Sequence, residues 1–397
     1  MSNYQIEELT KDVYLLRLND TEVKYFESNW YIPEGITYNA YLIKTNEGSI
    51  LFDLWKAKYA NALMDAINKI TEPSRIRYVV INHAEPDHTG SITRFSEENP
   101  EAIFVGIPIA ESILKAKYNF KNKFKPVRNE EELSIGDAKI RFYYTPWVHW
   151  PETMMSYYLN EEILFTCDAF GSYSIQKSIF DENISDEYMY YAKKYLVTVI
   201  GTYRENLIKG IDKIEASKIT PKIIAPSHGL IWKNNPTNII RAYRDWAEGK
   251  PSDKTLVVVY ASMYGSIAEA VENVVRPLRG DNKVKVFSFT DEHRDNIEDI
   301  LTEINSAKAV LIASPTYETG AHPSINYLLE ILATKIKGVK KPAVILTSYA
   351  WGSTADKKNL KLLQDAGFEV IDQATFKEKM TEAETNRIVE SLKKALD

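Results

Sequence analysis

The sequence has a single cysteine, Cys167, among 397 residues. No intrachain disulfide is available, and no four-cysteine iron or zinc module fits within this polypeptide. An electron donor of that kind has to be a separate molecule. Basic charge is short as well. The formal net charge of −6 leaves no electrostatic footprint for nucleic acid. No long uncharged apolar run is present, so no segment reads as a membrane span. The stretch Met1-Ser2-Asn3-Tyr4-Gln5-Ile6-Glu7 lacks the basic-then-apolar order of a secretion signal. These absences predict a soluble cytoplasmic protein. A composition of 44% hydrophobic and 26% charged residues is that of an ordinary globular chain with ample core. The length favours two domains.

Histidine is also scarce. Six occur, and four of them (His83, His88, His149 and His228) lie within or just after strand-like runs of the first 230 residues. The densest stretch is Ile81-Asn82-His83-Ala84-Glu85-Pro86-Asp87-His88-Thr89-Gly90, entered from the run Arg77–Ile81. Residues 83, 85 and 87 alternate, so an extended chain sends their side chains to one side. One histidine and two carboxylates make a nitrogen-and-oxygen site suited to iron, manganese or zinc. Three more candidates follow strand-like runs: His149 after Ile140–Tyr144, Asp168 closing Ile163–Cys167, and His228 after Ile223–Pro226. Loops held by rigid strand ends are a common way to fix a site's geometry.

Residues 4–55 read as β-rich, with short apolar runs broken by polar turns. Helical spacing is read over 58–70, near 107–118 and over 237–248. Between Ile184 and Ile200, Tyr188, Tyr191 and Tyr195 recur at helical intervals, which is the pattern of a core-facing stripe. Gly249-Lys250-Pro251-Ser252-Asp253-Lys254 reads as a linker. The boundary placed there divides the chain into domains 1–250 and 251–397.

After the linker, five strand patterns alternate with five helix patterns, which predicts a doubly wound parallel sheet. The turn Ser262-Met263-Tyr264-Gly265-Ser266, running into Ile267, offers hydroxyls, a glycine and helix N-terminal amides. A terminal phosphate needs such groups, although an ordinary helix cap has the same look. There is no Gly-Lys-Ser/Thr, so a nucleoside-triphosphate loop is excluded. Two further loops are predicted at strand ends. One holds Ser314, Pro315, Thr316, Tyr317 and Gly320, the other Ser348, Tyr349, Ala350, Trp351 and Gly352. Each carries an aromatic residue that a flat ring stacks on, and small residues that let the backbone approach. Together the three loops predict flavin mononucleotide (FMN).

On these motifs the second half resembles the flavodoxin family. The first half resembles the metallo-β-lactamase fold, whose signature is His-x-His-x-Asp-His, except that Glu85 replaces the second histidine. That departure, with a fused flavodoxin-like domain, is similar to the flavodiiron proteins. The resemblance implies an α+β, metallo-β-lactamase-like αββα sandwich followed by an α/β, flavodoxin-like sheet. It implies FMN and two iron ions as cofactors. One iron would be held by His83, Glu85 and His149, the other by Asp87 and His228, with Asp168 bridging. His88 matches a position usually close by rather than ligating, and Tyr195 matches a pocket tyrosine that faces the bound gas. These two are the candidates for acting beside the metals. On this resemblance, a family pocket histidine near Val23–Glu27 is replaced by Glu27 or a neighbour. Cys167 is expected to face away from Asp168 into the core. His293 is expected at the surface, and His322 lies beside the presumed ring loop.

Three carboxylates among six ligands argue for iron over zinc. Hydrolytic zinc keeps mostly neutral ligands and stays a strong Lewis acid, whereas added negative charge stabilises higher oxidation states. The resemblance implies reduction of dioxygen to water, of nitric oxide to nitrous oxide, or both. Rubredoxin, a reduced deazaflavin or a nicotinamide-linked reductase would donate electrons to a homodimer or homotetramer. Two rival readings are a zinc hydrolase with a flavodoxin-like appendage and a flavin electron carrier on an inert scaffold.

Overall fold

The computed structural model describes residues 3–280 and 282–397. Met1 and Ser2, which open the stretch read for a secretion signal, lie outside the described residues. The chain divides into two compact units, Met1–Leu196 with Tyr203–Arg244, and Val197–Thr202 with Asp245–Asp397.

The first unit opens with β1 (Tyr4–Thr10), β2 (Val13–Asp20), a hairpin of β3 (Tyr25–Phe26) and β4 (Trp30–Tyr31), then β5 (Ile36–Thr45) and β6 (Gly48–Phe52). Helix α1 (Ala60–Asn68) leads to β7 (Ile76–Val80), a short α2 (Pro86–Thr89) and α3 (Ile92–Glu98). Then follow β8 (Ile103–Gly106), α4 (Pro108–Tyr118) and β9 (Phe124–Pro126). These strands form a seven-stranded sheet ordered β1-β2-β5-β6-β7-β8-β9, while β3 and β4 pair only with each other. A second sheet takes β10 (Glu132–Ile135), β11 (Ala138–Tyr144), β12 (Met154–Tyr158), β13 (Ile163–Cys167) and β14 (Ile223–Pro226) in that order. Between β13 and β14 run α5 (Asp186–Tyr195), a π-helical turn Leu196–Ile200 and α6 (Arg204–Ala216); α7 (Pro236–Ala247) follows β14.

Residues from both sheets share one core. Phe52, Val80 and Val105 of the first meet Phe142, Met154, Phe165 and Ala225 of the second. Phe52 and Phe165 stack with ring centroids 4.2 Å apart. The first unit is thus a sandwich of two sheets. Strands β7, β11, β13 and β14 end at Val80, Tyr144, Cys167 and Pro226, and the four candidate ligand loops leave from those ends.

Local structure departs from the alternation expected after residue 81. The strand stops at Val80, and Pro86 sits at the first position of the helical turn α2. Proline suits that position because its φ is preset and its missing N–H would have no partner there. Residues 83 and 85 therefore precede a change of direction, and residues 87 and 88 follow it. The aromatic stripe of α5 is also narrower than expected. Tyr188 and Tyr195 are buried, whereas Tyr191 lies half-exposed and donates to Glu187 Oε1 at 2.9 Å.

In the second unit, five parallel strands are ordered β16-β15-β17-β19-β20. They are β15 (Thr255–Ala261), β16 (Lys283–Phe289), β17 (Ala309–Tyr317), β19 (Pro342–Tyr349) and β20 (Glu369–Lys377); β18 (Gly320–Ala321) folds back on β17. Helices α8 (Ser266–Val275), α9 (Ile297–Asn305), α10 (Pro323–Lys335), α11 (Ala355–Asp365) and α12 (Glu382–Leu396) alternate with them. The order is that of a flavodoxin-like doubly wound fold. One expectation changes here. Ser314–Tyr317 and Ser348–Tyr349 belong to strands rather than loops; the last strand also runs on past the apolar Phe368–Ile371 to Lys377.

Gly90 shows how tightly the first unit grips its central motif. A methyl group there would overlap the amide of Ala57 and the carbonyl of Pro86. Gly90→Ala is expected to destabilise the protein by about 1–3 kcal/mol, the usual range for overpacking. Chemical denaturation measures this, and an unchanged midpoint would show that the two segments separate freely.

Candidate metal centre and cofactor loops

The exit of β7 is fixed by a buried carboxylate, Asp53, itself at φ +53° just beyond β6. Its Oδ1 accepts from the amide of Asn82 at 2.9 Å and its Oδ2 from the Asn82 side chain at 3.1 Å. Asn82 in turn accepts from Ser156 at 2.6 Å. Thr89 Oγ1 donates towards the Ala84 and Glu85 carbonyls, at 3.0 and 2.8 Å, and closes the turn.

Held this way, the side chains of the motif form two groups. His83, Glu85, His149 and Asp168 bring donor atoms within 4.8 Å of one another, and Asp87, His88 and His228 do the same. Asp168 joins the two. Its Oδ2 lies 3.2 Å from His149 Nε2 and 3.5 Å from His83 Nε2, while its Oδ1 lies 3.2 Å from His228 Nε2 and 3.1 Å from His88 Nε2. Glu85 Oε2 closes the first group at 3.1 Å from His83 and 3.0 Å from His149. The helical turn after Pro86 is what delivers Asp87 and His88 to the second group.

Six buried atoms of this cluster have no hydrogen-bond partner: both oxygens of Asp87, both of Asp168, and Nε2 of His88 and of His228. Buried polar atoms are nearly always paired, so their convergence fits a bound cation. The electrostatics agree. Burial pushes the imidazoles down, but hydrogen bonds to Glu152 and Glu85 hold His83 up at about 10. Asp168 and Glu85 likewise hold His149 up at about 10, and the charges of Asp87 and Asp168 hold His88 up at about 9. Burial opposes ionisation of Asp168, yet the surrounding imidazoles keep its carboxyl well below the usual range. Three carboxylates with histidines form a hard donor set suited to iron.

The far nitrogens are also held. Glu152 Oε1 lies 2.7 Å from His83 Nδ1, and the Thr37 carbonyl lies 2.7 Å from His228 Nδ1. Such partners orient a metal-binding imidazole and set its tautomer. Asp53 and Cys167 each place an atom within 4.8 Å of His88. Sequence reasoning singled out none of Glu152, Asp53 or Thr37 for this. Asp53 had a readable signal, since it closes an apolar strand run as Asp168 does. Thr37 acts through its backbone and leaves no signal.

One expectation about a neighbouring residue differs from the structure, and a second is narrowed. Cys167 has φ +52°, which breaks the alternation of β13 and brings its side chain beside His88 and Asp53 rather than away from the cluster. Glu27 lies exposed in the turn between β3 and β4 and accepts from Trp30 Nε1 at 3.0 Å. The residue this segment turns inward is Phe26, whose ring packs on His228 at 6.1 Å. Tyr38 and Tyr195 pack on the same imidazole at 5.5 and 5.4 Å, and Tyr173 packs on Tyr195 at 5.1 Å. On the other side, Trp150 meets His83 at 5.2 Å. The cluster is therefore walled by aromatic rings.

In the second unit, a cavity of about 300 Å³ opens among Ser262–Tyr264, Ser266, Ile267, Pro315, Thr316, Ser348–Trp351 and Glu378. Tyr264 and Trp351 are 94% and 84% exposed, as ring-flanking side chains would be before a planar ligand covers them. Ser262 Oγ is buried without a partner beside the N-terminus of α8. Gly265 has φ +93°, and an added methyl group would meet nothing within 4 Å. These features fit FMN, with its phosphate at the helix amides. Of the other expected residues, Gly265, Ser314, Tyr317, Gly320 and Gly352 do not line the cavity. Ser314 Oγ instead receives the His322 amide at 3.3 Å, and the Tyr317 ring meets His322 at 5.9 Å. His322 Nδ1 caps α10 by accepting from Ser324 at 3.3 Å. His293 is exposed beside Asp295.

Residues 36–229 match the ODP family beta lactamase model, and residues 258–391 match the flavodoxin model. A nitric oxide reductase from Moorella thermoacetica is 30% identical over 91% of this chain and 90% of its own. A single-substitution variant of a flavo di-iron protein from Thermotoga maritima superposes with a TM-score of 0.93. It is 32% identical, and the match covers 100% of both chains. The chain belongs to the flavodiiron protein family. A rubredoxin:oxygen oxidoreductase from Desulfovibrio gigas is 25% identical with a TM-score of 0.92, covering 99% of this chain and 98% of that one. Among the described residues of this flavodiiron protein, no helix is long and apolar enough to cross a membrane.

Two outcomes follow from the site. Glu152→Gln removes the carboxylate behind His83 and is expected to weaken iron retention by about 10–100-fold, as read by metal analysis after chelator challenge. Full retention would make Glu152 a packing residue. Gly265→Val places a branched side chain at φ +93° and is expected to weaken FMN binding roughly tenfold or more, followed by flavin fluorescence titration.

Proposed function

We infer that this chain is a flavodiiron oxidoreductase that reduces dioxygen to water, nitric oxide to nitrous oxide, or both. The observation that carries the reading is Asp168, whose two oxygens face two separate groups of histidine and carboxylate donors. We assign His83, Glu85 and His149 to one iron and Asp87 and His228 to the other, with Asp168 between them. His88 joins the second iron in this assignment, because its Nε2 points at Asp168 and Asp87 at 3.1 and 3.4 Å. When bound, FMN and the two irons supply the electrons that either reduction requires.

The chain's own residues hold and shield that chemistry. Glu85, Asp87 and Asp168 place three negative charges around the metal positions. Glu152 and the Thr37 carbonyl hold His83 and His228 by their far nitrogens. Phe26, Tyr38, Tyr173 and Tyr195 make an apolar wall on the His228 side, which suits a small uncharged gas and limits water. Tyr264 and Trp351 are assigned to the flavin ring, and the amides and hydroxyls of Ser262–Ser266 to its phosphate. The electron donor is a separate molecule, such as rubredoxin, a reduced deazaflavin or a reductase. A homodimer or homotetramer in the cytoplasm is the assembly and place we propose.

A zinc hydrolase is the weaker reading, because Glu85 adds a third carboxylate where hydrolytic sites keep a neutral ligand. The deciding experiment measures iron and flavin content, reduces the protein anaerobically, and follows oxygen and nitric oxide consumption in parallel. Zinc in place of iron, with no gas consumed, would sink the reading. His83→Ala is expected to lower turnover at least 100-fold while FMN stays bound. Full turnover in that variant would move the reactive centre elsewhere.

A further inference from the structure

Lys56 occupies a place that its sequence neighbourhood does not explain. It follows Asp53-Leu54-Trp55, and this segment is clamped to the second half of the metal motif. The Leu54 amide donates to the His88 carbonyl at 2.7 Å, and the Ser91 amide to the Trp55 carbonyl at 2.8 Å. Ser91 Oγ donates to the Trp55 and Lys56 carbonyls at 2.8 and 3.2 Å. Gly90 allows the close approach, because a methyl group there would press on the Lys56 and Ala57 backbone. The Lys56 backbone is therefore as well placed as the ligands themselves.

Its side chain is half-buried, and its ammonium lies 4.5 Å from the Tyr38 ring centroid and 5.8 Å from that of Phe26. Both rings pack on His228. No carboxylate stands within ion-pair reach of this ammonium among the described residues, whereas the buried Lys194 pairs with Glu34 at 3.0 Å. A lysine partnered only by rings keeps its field for whatever enters beside them.

We propose that Lys56 is the charge-stabilising residue of the pocket, favouring a small anion bound on the His228 side of the metal pair. The inference rests on the di-iron reading. It explains why an apolar wall for a neutral gas carries an ammonium against two of its rings. Reduction of either gas builds negative charge on oxygen or nitrogen before protons neutralise it, and a nearby ammonium stabilises that charge. The ring distances place the ammonium within about 10 Å of the His228 imidazole, where one charge at a protein-like dielectric changes the affinity for a monoanion roughly tenfold.

The test uses oxidised, iron- and FMN-loaded protein titrated with azide, read by the absorption band of azide bound to ferric iron. Lys56→Arg keeps the charge, Lys56→Met keeps the stem and its packing, and Lys56→Glu reverses the charge. With iron content equal to wild type, azide affinity is expected to fall roughly tenfold in Lys56→Met and further in Lys56→Glu. Lys56→Arg should stay within about threefold of wild type, by the same charge argument. Unchanged affinity in all three, or an equal loss in Lys56→Arg and Lys56→Met, would overturn the proposal and leave Lys56 a ring-packing residue. Loss of iron in all three would overturn it too, by making the lysine structural. A wild-type protein that holds zinc and shows no azide band would instead remove the di-iron reading beneath it.

Discussion

The first unit is built around a single electrostatic constraint. Glu85, Asp87 and Asp168 are brought together in the interior, and no carboxylate tolerates that without compensating positive charge. The histidines around them answer it in part, and a pair of metal cations answers it fully. Much of the surrounding structure serves to keep these groups from relaxing apart. Asp53 pins the end of β7, Thr89 closes the turn, and Glu152 and Thr37 hold the far side of two imidazoles. Six unpaired buried atoms are the residue of that constraint: a site whose hydrogen-bonding capacity is reserved for something other than protein.

The second unit meets the opposite requirement. Its loops present surface rather than hide charge, with two exposed aromatic rings, a buried hydroxyl and a helix N-terminus gathered at the C-terminal ends of parallel strands. An anionic, planar cofactor fits such a place because partial positive charge and flat apolar faces lie within one cavity. Glu378 adds a carboxylate to its lining, one residue beyond a strand that runs longer than its apolar pattern suggested.

How much of this was legible depended on which physical signal each residue leaves. His83, Glu85, Asp87, His149, Asp168 and His228 stand out as candidates because histidine is scarce and these histidines, with the carboxylates beside them, fall just after apolar strand runs. The doubly wound half is equally plain, since buried parallel strands are continuous apolar words. Backbone conformation was not legible. Nothing in the alternation of residues 83, 85 and 87 says that Pro86 turns the chain into a helix, and that turn is what brings His88 among the donors. Cys167 escaped for the same reason, because a positive φ at the end of an apolar run has no compositional mark. The choice between Glu27 and its neighbours was open in the sequence, because the three-residue turn 27–29 decides which side chain points inward, and it is Phe26. Thr37 contributes a carbonyl that every residue possesses.

The hairpin of β3 and β4 is joined to neither large sheet by strand pairing, yet it supplies Phe26 to the wall over His228. The ligand loops, by contrast, are rooted in strand ends and tied to one another by buried hydrogen bonds. The wall over His228 thus has two foundations: Phe26 comes from the unpaired hairpin, while Tyr38 stands on β5 next to Thr37, whose carbonyl holds His228. A substitution at Phe26 reaches the imidazole by ring contact alone, whereas one at Tyr38 also strains the strand that orients it.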